Sequence, residues 1–343
     1  MEKKVIVTGG AGFIGAHTVV ELVKEGYVPV IVDNFSNTNE SAMMGLEKIL
    51  GTKPILYKYD CTDKQLMREV FEKEKPFAVI HFAAYKAVGE SVEQPLKYYQ
   101  NNVVSLLNVL EMMNRYKVEH LVFSSSCTVY GQPSQLPVSE ESALPDAASP
   151  YGYTKQVCER ILRDAHYANK QLNVALLRYF NPIGAHKSGL IGELPYGVPN
   201  NLVPYITQTA IGIRKQLTIF GDDYSTPDGT CIRDFIHVTD LAKAHVKSLN
   251  WLEKNSNSCE AFNLGQGIGN SVLEVVKTFE QVSGQKLNYT IGPRREGDVE
   301  QVWADVTKAN KELGWKTELS LETALIDAWR WEENLKSTKT SVG

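Results

Sequence analysis

A chain of 343 residues, 43% hydrophobic and 22% charged, can bury a large core and form one large or two modest domains. With 36 basic against 40 acidic side chains the formal charge is −4, which argues against a nucleic-acid partner and for small molecules. No apolar run reaches membrane length, and Met1-Glu2-Lys3-Lys4 leads straight into a strand pattern, so no membrane association and a cytoplasmic location are expected.

The apolar run Lys4–Val7 ends in Thr8-Gly9-Gly10-Ala11-Gly12-Phe13-Ile14-Gly15, and a helical pattern follows through Val19, Val20, Leu22 and Val23 to Gly26. This is strand, tight turn and helix, in which glycines let the backbone approach a pyrophosphate and the helix N-terminus attracts the anion. Two frames fit, Gly10-x-Gly12-x-x-Gly15 and Gly9-x-x-Gly12-x-x-Gly15, and spacing does not choose between them. A second strand, Val28–Val32, ends in Asp33, where a carboxylate binds a ribose 2′-hydroxyl and repels a 2′-phosphate, favouring NAD over NADP.

Short apolar runs then alternate with longer helices: Ile55–Tyr59 before Asp60, Ala78–Phe82 before Ala83, and Leu121–Phe123 before Ser124-Ser125-Ser126. The alternation predicts a Rossmann-like, doubly wound parallel α/β sheet, with Asp60, Ala83 and Ser126 along one rim. A long helix is expected over 95–117, and Ser149-Pro150-Tyr151-Gly152-Tyr153-Thr154-Lys155 opens another. There a phenol and an ammonium stand four residues apart on one face, although such pairs also arise by chance. A fixed cation nearby is expected to lower the pKa of Tyr151 and let it exchange protons near neutrality.

Val174–Tyr179 reads as a further buried strand; beyond it Gly, Pro and Asn become frequent. The helical pattern returns over 236–252 and a strand over 261–264. We therefore expect a NAD-binding Rossmann domain from 1–180 plus about 236–265, and a smaller, discontinuous C-terminal α/β domain for substrate from about 181–235 plus 266–343. The five cysteines (Cys61, Cys127, Cys158, Cys231 and Cys259) are odd in number and scattered, with no Cys-x-x-Cys. They read as reduced, packed thiols, and no metal site is expected.

With the Gly9 turn, the Ser124–Ser126 run and Tyr151-x-x-x-Lys155 in this order, the chain resembles the extended short-chain dehydrogenase/reductases. The blocks Lys86-Ala87-Val88-Gly89-Glu90-Ser91, Leu177-Arg178-Tyr179-Phe180-Asn181-Pro182, Pro199-Asn200-Asn201-Leu202 and Arg294-Arg295-Glu296-Gly297-Asp298 look like the UDP-glucose 4-epimerase family within them. The resemblance runs from about residue 4 to 330. It implies tightly bound NAD, regenerated each cycle, and UDP-galactose and UDP-glucose interconverted through a 4-keto sugar, in a homodimer paired through helices near 95–117 and 151–169. It selects Gly9, Gly12 and Gly15 as the cofactor glycines, and matches Phe13, Ile14, Asp33, Asn34, Asp60, Cys61, Phe82, Ala83, Lys86, Asn101 and Tyr179 to cofactor contacts. Ser126 matches the hydroxyl that bonds the sugar oxygen, Tyr151 the acid/base, and Lys155 its activator and a ribose contact.

On the substrate side the resemblance matches Arg233 and Arg295 to the diphosphate, Asp298 to a ribose, and Asn181 and Asn201 to the sugar or its phosphates. Thr218, Ile219 and Phe220 match the uracil stretch, and Lys86 and Phe180 further substrate contacts. A paired-donor arginine suits a diphosphate on physical grounds as well. Val302 matches a site where tyrosine excludes N-acetylated sugars, so some activity on UDP-N-acetylglucosamine and UDP-N-acetylgalactosamine is expected. Cys127 stands where alanine is usual, which raises oxidant sensitivity as a possibility to test. The rivals are another NAD-dependent sugar-nucleotide enzyme, such as a 4,6-dehydratase, and a non-catalytic NAD-binding regulator. A dehydratase resembles the chain but carries an Asp-Glu pair where Thr128-Val129 stands, and a regulator commonly loses the tyrosine or lysine kept here.

Overall fold

The computed structural model describes residues 2–295 and 298–340. In chain order its first half runs β1 (Lys4–Thr8), α1 (Phe13–Lys24), β2 (Val28–Val32), α2 (Ser41–Leu50), β3 (Ile55–Tyr57), α3 (Lys64–Glu74), β4 (Ala78–His81), α4 (Val88–Glu93), α5 (Pro95–Tyr116), β5 (His120–Ser124), α6 (Pro150–Ala168) and β6 (Asn173–Tyr179). The second half adds β7 (Asn181–Ile183), α7 (Leu202–Ala210), β8 (Leu217–Phe220), β9 (Ile232–Arg233), β10 (Phe235–His237), α8 (Val238–Lys254), β11 (Cys259–Leu264), β12 (Asn270–Ser271), α9 (Val272–Ser283), β13 (Tyr289–Gly292), β14 (Gln301–Val302) and α10 (Leu321–Thr340).

The main strands are short, largely apolar runs buried on both faces, as a parallel sheet covered by helices demands. They form one sheet in the order β11-β6-β5-β4-β1-β2-β3, parallel at every pairing. Strand order reverses between β1 and β4, so the carboxyl rim there is the expected ligand crevice. One apolar layer lies under α1 and α8, with Val19, Leu22, Leu241 and Leu249 against Val5, Val7 and Ile80. The other lies under α3, α5 and α6, with Phe71, Leu106, Val109 and Leu162 against Ile6, Val79 and Leu121.

Helix starts follow their side chains. Asp63 accepts the Gln65 and Leu66 N–H groups to begin α3, Ser149 accepts that of Gly152 ahead of Pro150 to begin α6, and Ser271 and Glu274 make a capping box for α9. The remaining strands pair in small sheets, β10 with β7, β12-β9-β14, and β13 with β8. Ile183, Val203, Ile219, Phe235, Val275, Phe279 and Leu325 form a separate core beside them. Ala309, Leu313 and Trp315, from the stretch that sequence assigns to the smaller unit, pack into the α1–α8 layer of the large sheet.

Candidate active site

The turn after β1 shows why glycine stands at each position. Gly9 has φ +69, and a Cβ there would lie 3.0 Å from the Ala83 nitrogen; one on Gly15 would lie 2.2 Å from the Gly9 carbonyl oxygen. Gly9 thus closes β1 onto the segment after β4, and Gly15 seats α1 against the turn. Gly12 caps α1 with no side-chain hydrogen bond, leaving the first turn, Phe13 and Ile14 included, without a side-chain cap. A Cβ on Gly12 would meet only the Gly9 carbonyl oxygen, at 3.2 Å, so this side of the turn is open to a close-approaching group. An uncapped helix start beside an open glycine is a fit for a pyrophosphate.

Asp33, at the end of β2, is buried and spans two segments, its carboxylate accepting the Ala11 N–H at 3.0 Å and the Phe35 N–H at 2.9 Å. Burial raises its pKa above the usual carboxylate range, against those hydrogen bonds. Asn34 donates to Asp60 at 2.9 Å, which joins the ends of β2 and β3. The Cys61 side chain lies in the core, and the Phe82 ring packs 4.6 Å from that of His245. Asn101 donates to Asn102, and Asn102 in turn bonds Tyr85 N and O and the Thr154 hydroxyl. Thr154 donates to the Tyr151 carbonyl, so Asn102, which sequence reasoning passed over, bolts α6 to the loop after β4. A buried amide inside a long helix, where asparagine is a poor helix former, was the available signal.

Past β5, Ser126 begins a short 3₁₀ turn over Cys127–Tyr130 and accepts the Thr128 N–H at 3.2 Å. Tyr151, Ser126 and Lys155 are all buried. The Lys155 ammonium donates to the Ser124 carbonyl at 2.7 Å and lies 5.9 Å from the centre of the Tyr151 ring. Tyr179 shares a 2.6 Å hydrogen bond with the Ser124 hydroxyl. The expected lowering of the Tyr151 pKa is not what the protein alone provides. Burial, with the neighbouring Tyr179, pushes it up, and the hydrogen bond with Ser126 is outweighed. Burial also brings Lys155 down to about 8, so desolvation weakens the very cation that was to assist. The Cys127 thiol is raised by burial to about 12 and is not the reactive thiolate that oxidation requires.

Beneath this group runs a buried ionic network. Glu159, one turn beyond Lys155, accepts from Ser125 at 2.6 Å and pairs with Arg178 through two hydrogen bonds of 2.9 and 2.6 Å. Arg178 also donates to the Tyr130 hydroxyl, which donates to Asn263. The network fixes the serine run from below. Periodicity did not show it, because its members are far apart in sequence.

Two arginines converge on one acid. Asp298 accepts from Arg233 at 3.3 Å and from Arg295 at 2.8 and 3.2 Å, although they come from separate stretches. Glu296 and Gly297 of the same block lie outside the described residues. The Arg295 guanidinium sits 5.8 Å from the Phe220 ring centre, while Ile219 points into the smaller core and Thr218 is half-buried. Val302 stands opposite Arg233 in the β9–β14 pairing, and its side chain clusters with Phe180, Val129 and Tyr130. Cys127 packs against the same cluster, which brings the β9–β14 pairing that carries Arg233 beside the serine run. Asn181 donates its N–H to the Asp234 carbonyl, and Asn201 donates to Glu193 rather than capping α7. Asp234 is buried, accepts the N–H groups of Gln266, Gly267 and Ala304, and is raised to about 6 by its burial. Among the described residues no cluster of three or more His, Cys, Asp or Glu could hold a metal ion.

A family model described as GDP-mannose 4,6 dehydratase matches residues 6–327. The UDP-glucose 4-epimerase of Dictyostelium discoideum is 50% identical over 332 residues, 97% of this chain and 96% of that protein. The chain belongs to the UDP-glucose 4-epimerase family. The crystal structure of the Bifidobacterium longum epimerase, in complex with NAD+ and UDP, is 46% identical with a TM-score of 0.94, covering 97% of this chain and 98% of that one. A UDP-Glc/GlcNAc 4-epimerase from Campylobacter jejuni is 38% identical with a TM-score of 0.83, covering 97% and 99%. Membership fits the rim described above, and Thr128-Val129 in the 3₁₀ turn leaves no acidic pair there for dehydratase chemistry.

Proposed function

We propose that the chain interconverts UDP-galactose and UDP-glucose by transient NAD-dependent oxidation at carbon 4 through a 4-keto sugar. Two links support this reading: the loop after β4, which Gly9 abuts, is tied through Asn102 to Thr154 between Tyr151 and Lys155, and Cys127, next to Ser126, packs in one cluster with Val302, the partner of Arg233 in the β9–β14 pairing. Bound NAD would supply the acceptance of a hydride from carbon 4 and its return. Gly9, Gly12, Gly15 and Asp33 would hold it, with Lys86, Asn101 and Tyr179 further along. Tyr151 as the phenolate, which the positive charges of Lys155 and of bound NAD would favour over the neutral form that burial alone gives, takes the proton of the 4-hydroxyl while Ser126 orients that oxygen, and the same phenol returns the proton after the ketone has turned over. Lys155 keeps a positive charge beside the phenol, and Arg233 and Arg295 grip the diphosphate, so that nucleotide and hexose are restrained unequally.

The division into a NAD-binding part (1–180 plus about 236–265) and a UDP-sugar-binding part (about 181–235 plus 266–343) belongs to this proposal, supported by the separate apolar core beside α7, α9 and α10. So does a cytoplasmic location, supported by five free cysteines in a chain whose described helices include none long and apolar enough to cross a membrane. A homodimer is proposed through α5 and α6, where Leu96 and Tyr153 are exposed and Tyr153 packs edge-on with Tyr99.

The test is to incubate the purified protein with UDP-galactose, without added NAD, and follow carbon-4 configuration by NMR. UDP-glucose should accumulate with no net NADH, and turnover should fall by orders of magnitude in Tyr151→Phe with NAD still bound. Unchanged turnover in that variant would refute the role of Tyr151. Val302 supports a second substrate class, because it is small and packs on Phe180. UDP-N-acetylglucosamine should therefore be epimerised as well, and Val302→Tyr should lower its rate relative to UDP-glucose. An unchanged ratio would count against this role.

A further inference from the structure

We infer that residues 192–201 form a strap retaining the bound dinucleotide, with Glu193 and Tyr196 as its two fastenings. The inference rests on the NAD reading above and adds Glu193 and Tyr196, which neither motif nor resemblance singled out. β2 and β4 both pair with β1, one on each side, so the loops after them flank the carboxyl end of β1 and its glycine turn. The segment is fastened to both loops. The Tyr196 hydroxyl donates to the Thr38 carbonyl at 2.6 Å in the loop after β2, and the Thr38 hydroxyl itself donates to Ala11 O in the glycine turn at 3.0 Å. On the other side the Glu193 carboxylate accepts from Lys86, in the loop after β4, at 3.0 Å, and from Asn201 at 2.6 Å.

The start of the segment is seated firmly. A Cβ on Gly45 of α2 would lie 2.1 Å from the Leu190 carbonyl oxygen, and one on Gly192 would lie 2.5 Å from the Trp331 indole. Trp331 donates its indole N–H to the Glu193 carbonyl at 2.9 Å. A chain pinned at one end and tied to both flanking loops crosses above the place where a pyrophosphate meets α1. The ligand leaves only when those ties break. Its release is therefore governed by Tyr196 and Glu193 as positioning residues, which need not touch it.

The test measures the rate at which NAD leaves the purified holoenzyme, by repeated desalting and quantification of acid-released nucleotide, for wild type, Tyr196→Phe, Glu193→Gln and the double variant. Each single change should speed release roughly fivefold to tenfold, and the double change by about their product, since each removes one hydrogen bond or ion pair of ordinary strength. The Lys86–Glu193 pair is partly exposed, so added salt should speed release from wild type and have less effect in Glu193→Gln. Melting temperatures without NAD are measured alongside, because losing these one or two bonds should lower them by only a few degrees whereas general loosening would lower them further. Release rates within twofold of wild type in the double variant would overturn the strap. A protein that binds no NAD at all, wild type included, would instead overturn the cofactor reading beneath it.

Discussion

At Tyr151 two influences oppose each other, and their sizes decide which wins. The sequence shows a cation one helical turn away, which favours the phenolate, but only the structure shows that Tyr151 and Lys155 are both buried, which favours the neutral form of each. In cofactor-free protein, tyrosinate absorbance of wild type minus that of Tyr151→Phe should therefore show no ionisation below pH about 10. A Tyr151-dependent signal near neutrality would contradict this account of the site. The Glu159–Arg178 pair gives a second residue-scale test. Glu159→Gln leaves a guanidinium buried without its anion and should cost about 3–5 kcal/mol in denaturant unfolding, while replacing both with apolar residues of similar volume should cost far less. Equal losses in the two cases would show that the charges are not paired as described.

Among the elements, the glycine turn separates two demands that a motif alone merges. Gly15→Ala drives a Cβ into the Gly9 carbonyl oxygen and should destabilise the fold by about 1–3 kcal/mol whether or not NAD is present. Gly12→Ala meets only one atom, at 3.2 Å, so its melting temperature without NAD should change little while its NAD affinity falls. Equal effects on both quantities in both variants would contradict this division. The turn, α1 and the strands of the large sheet were legible because parallel strands buried on both faces read as short apolar runs ended by glycine or a small polar residue. The pairing of β9 with β14, two residues each, was not, since so short a strand has no periodicity to read. For the same reason the meeting of Arg233 and Arg295 on Asp298 entered through resemblance and took its geometry from the structure. Glu193 and Asn102 left no motif: a surface-type acid and a helical asparagine become informative only once their partners are known.

Over the whole molecule, buried histidines set the response to acid. His17 and His81 are lowered to about 3, and His186 and His245 to about 4, each chiefly by burial. Below pH about 6.5 the unfolded chain takes up these protons and the folded chain does not, so their contribution to stability is present at neutrality and is lost as pH falls. At about 1.4 kcal/mol per pH unit for each, offset by about 1 kcal/mol because Asp234 takes up its proton in the fold first, unfolding free energy should fall by about 3–4 kcal/mol between pH 6 and 5. A flat profile there would show that the four rings are protonated in the fold. The proposed homodimer predicts that Leu96→Glu, on an exposed face of α5, yields monomer by light scattering with its helical content retained. A mass unchanged from that of wild type would place the interface elsewhere.

The claim on which the rest depends is that the hydrogen on carbon 4 leaves and returns without meeting water. UDP-galactose carrying deuterium at carbon 4, converted in ordinary water by the protein as purified, tests it directly. The account predicts UDP-glucose with the deuterium still on carbon 4; exchange of the label into solvent at the rate of epimerisation would contradict it.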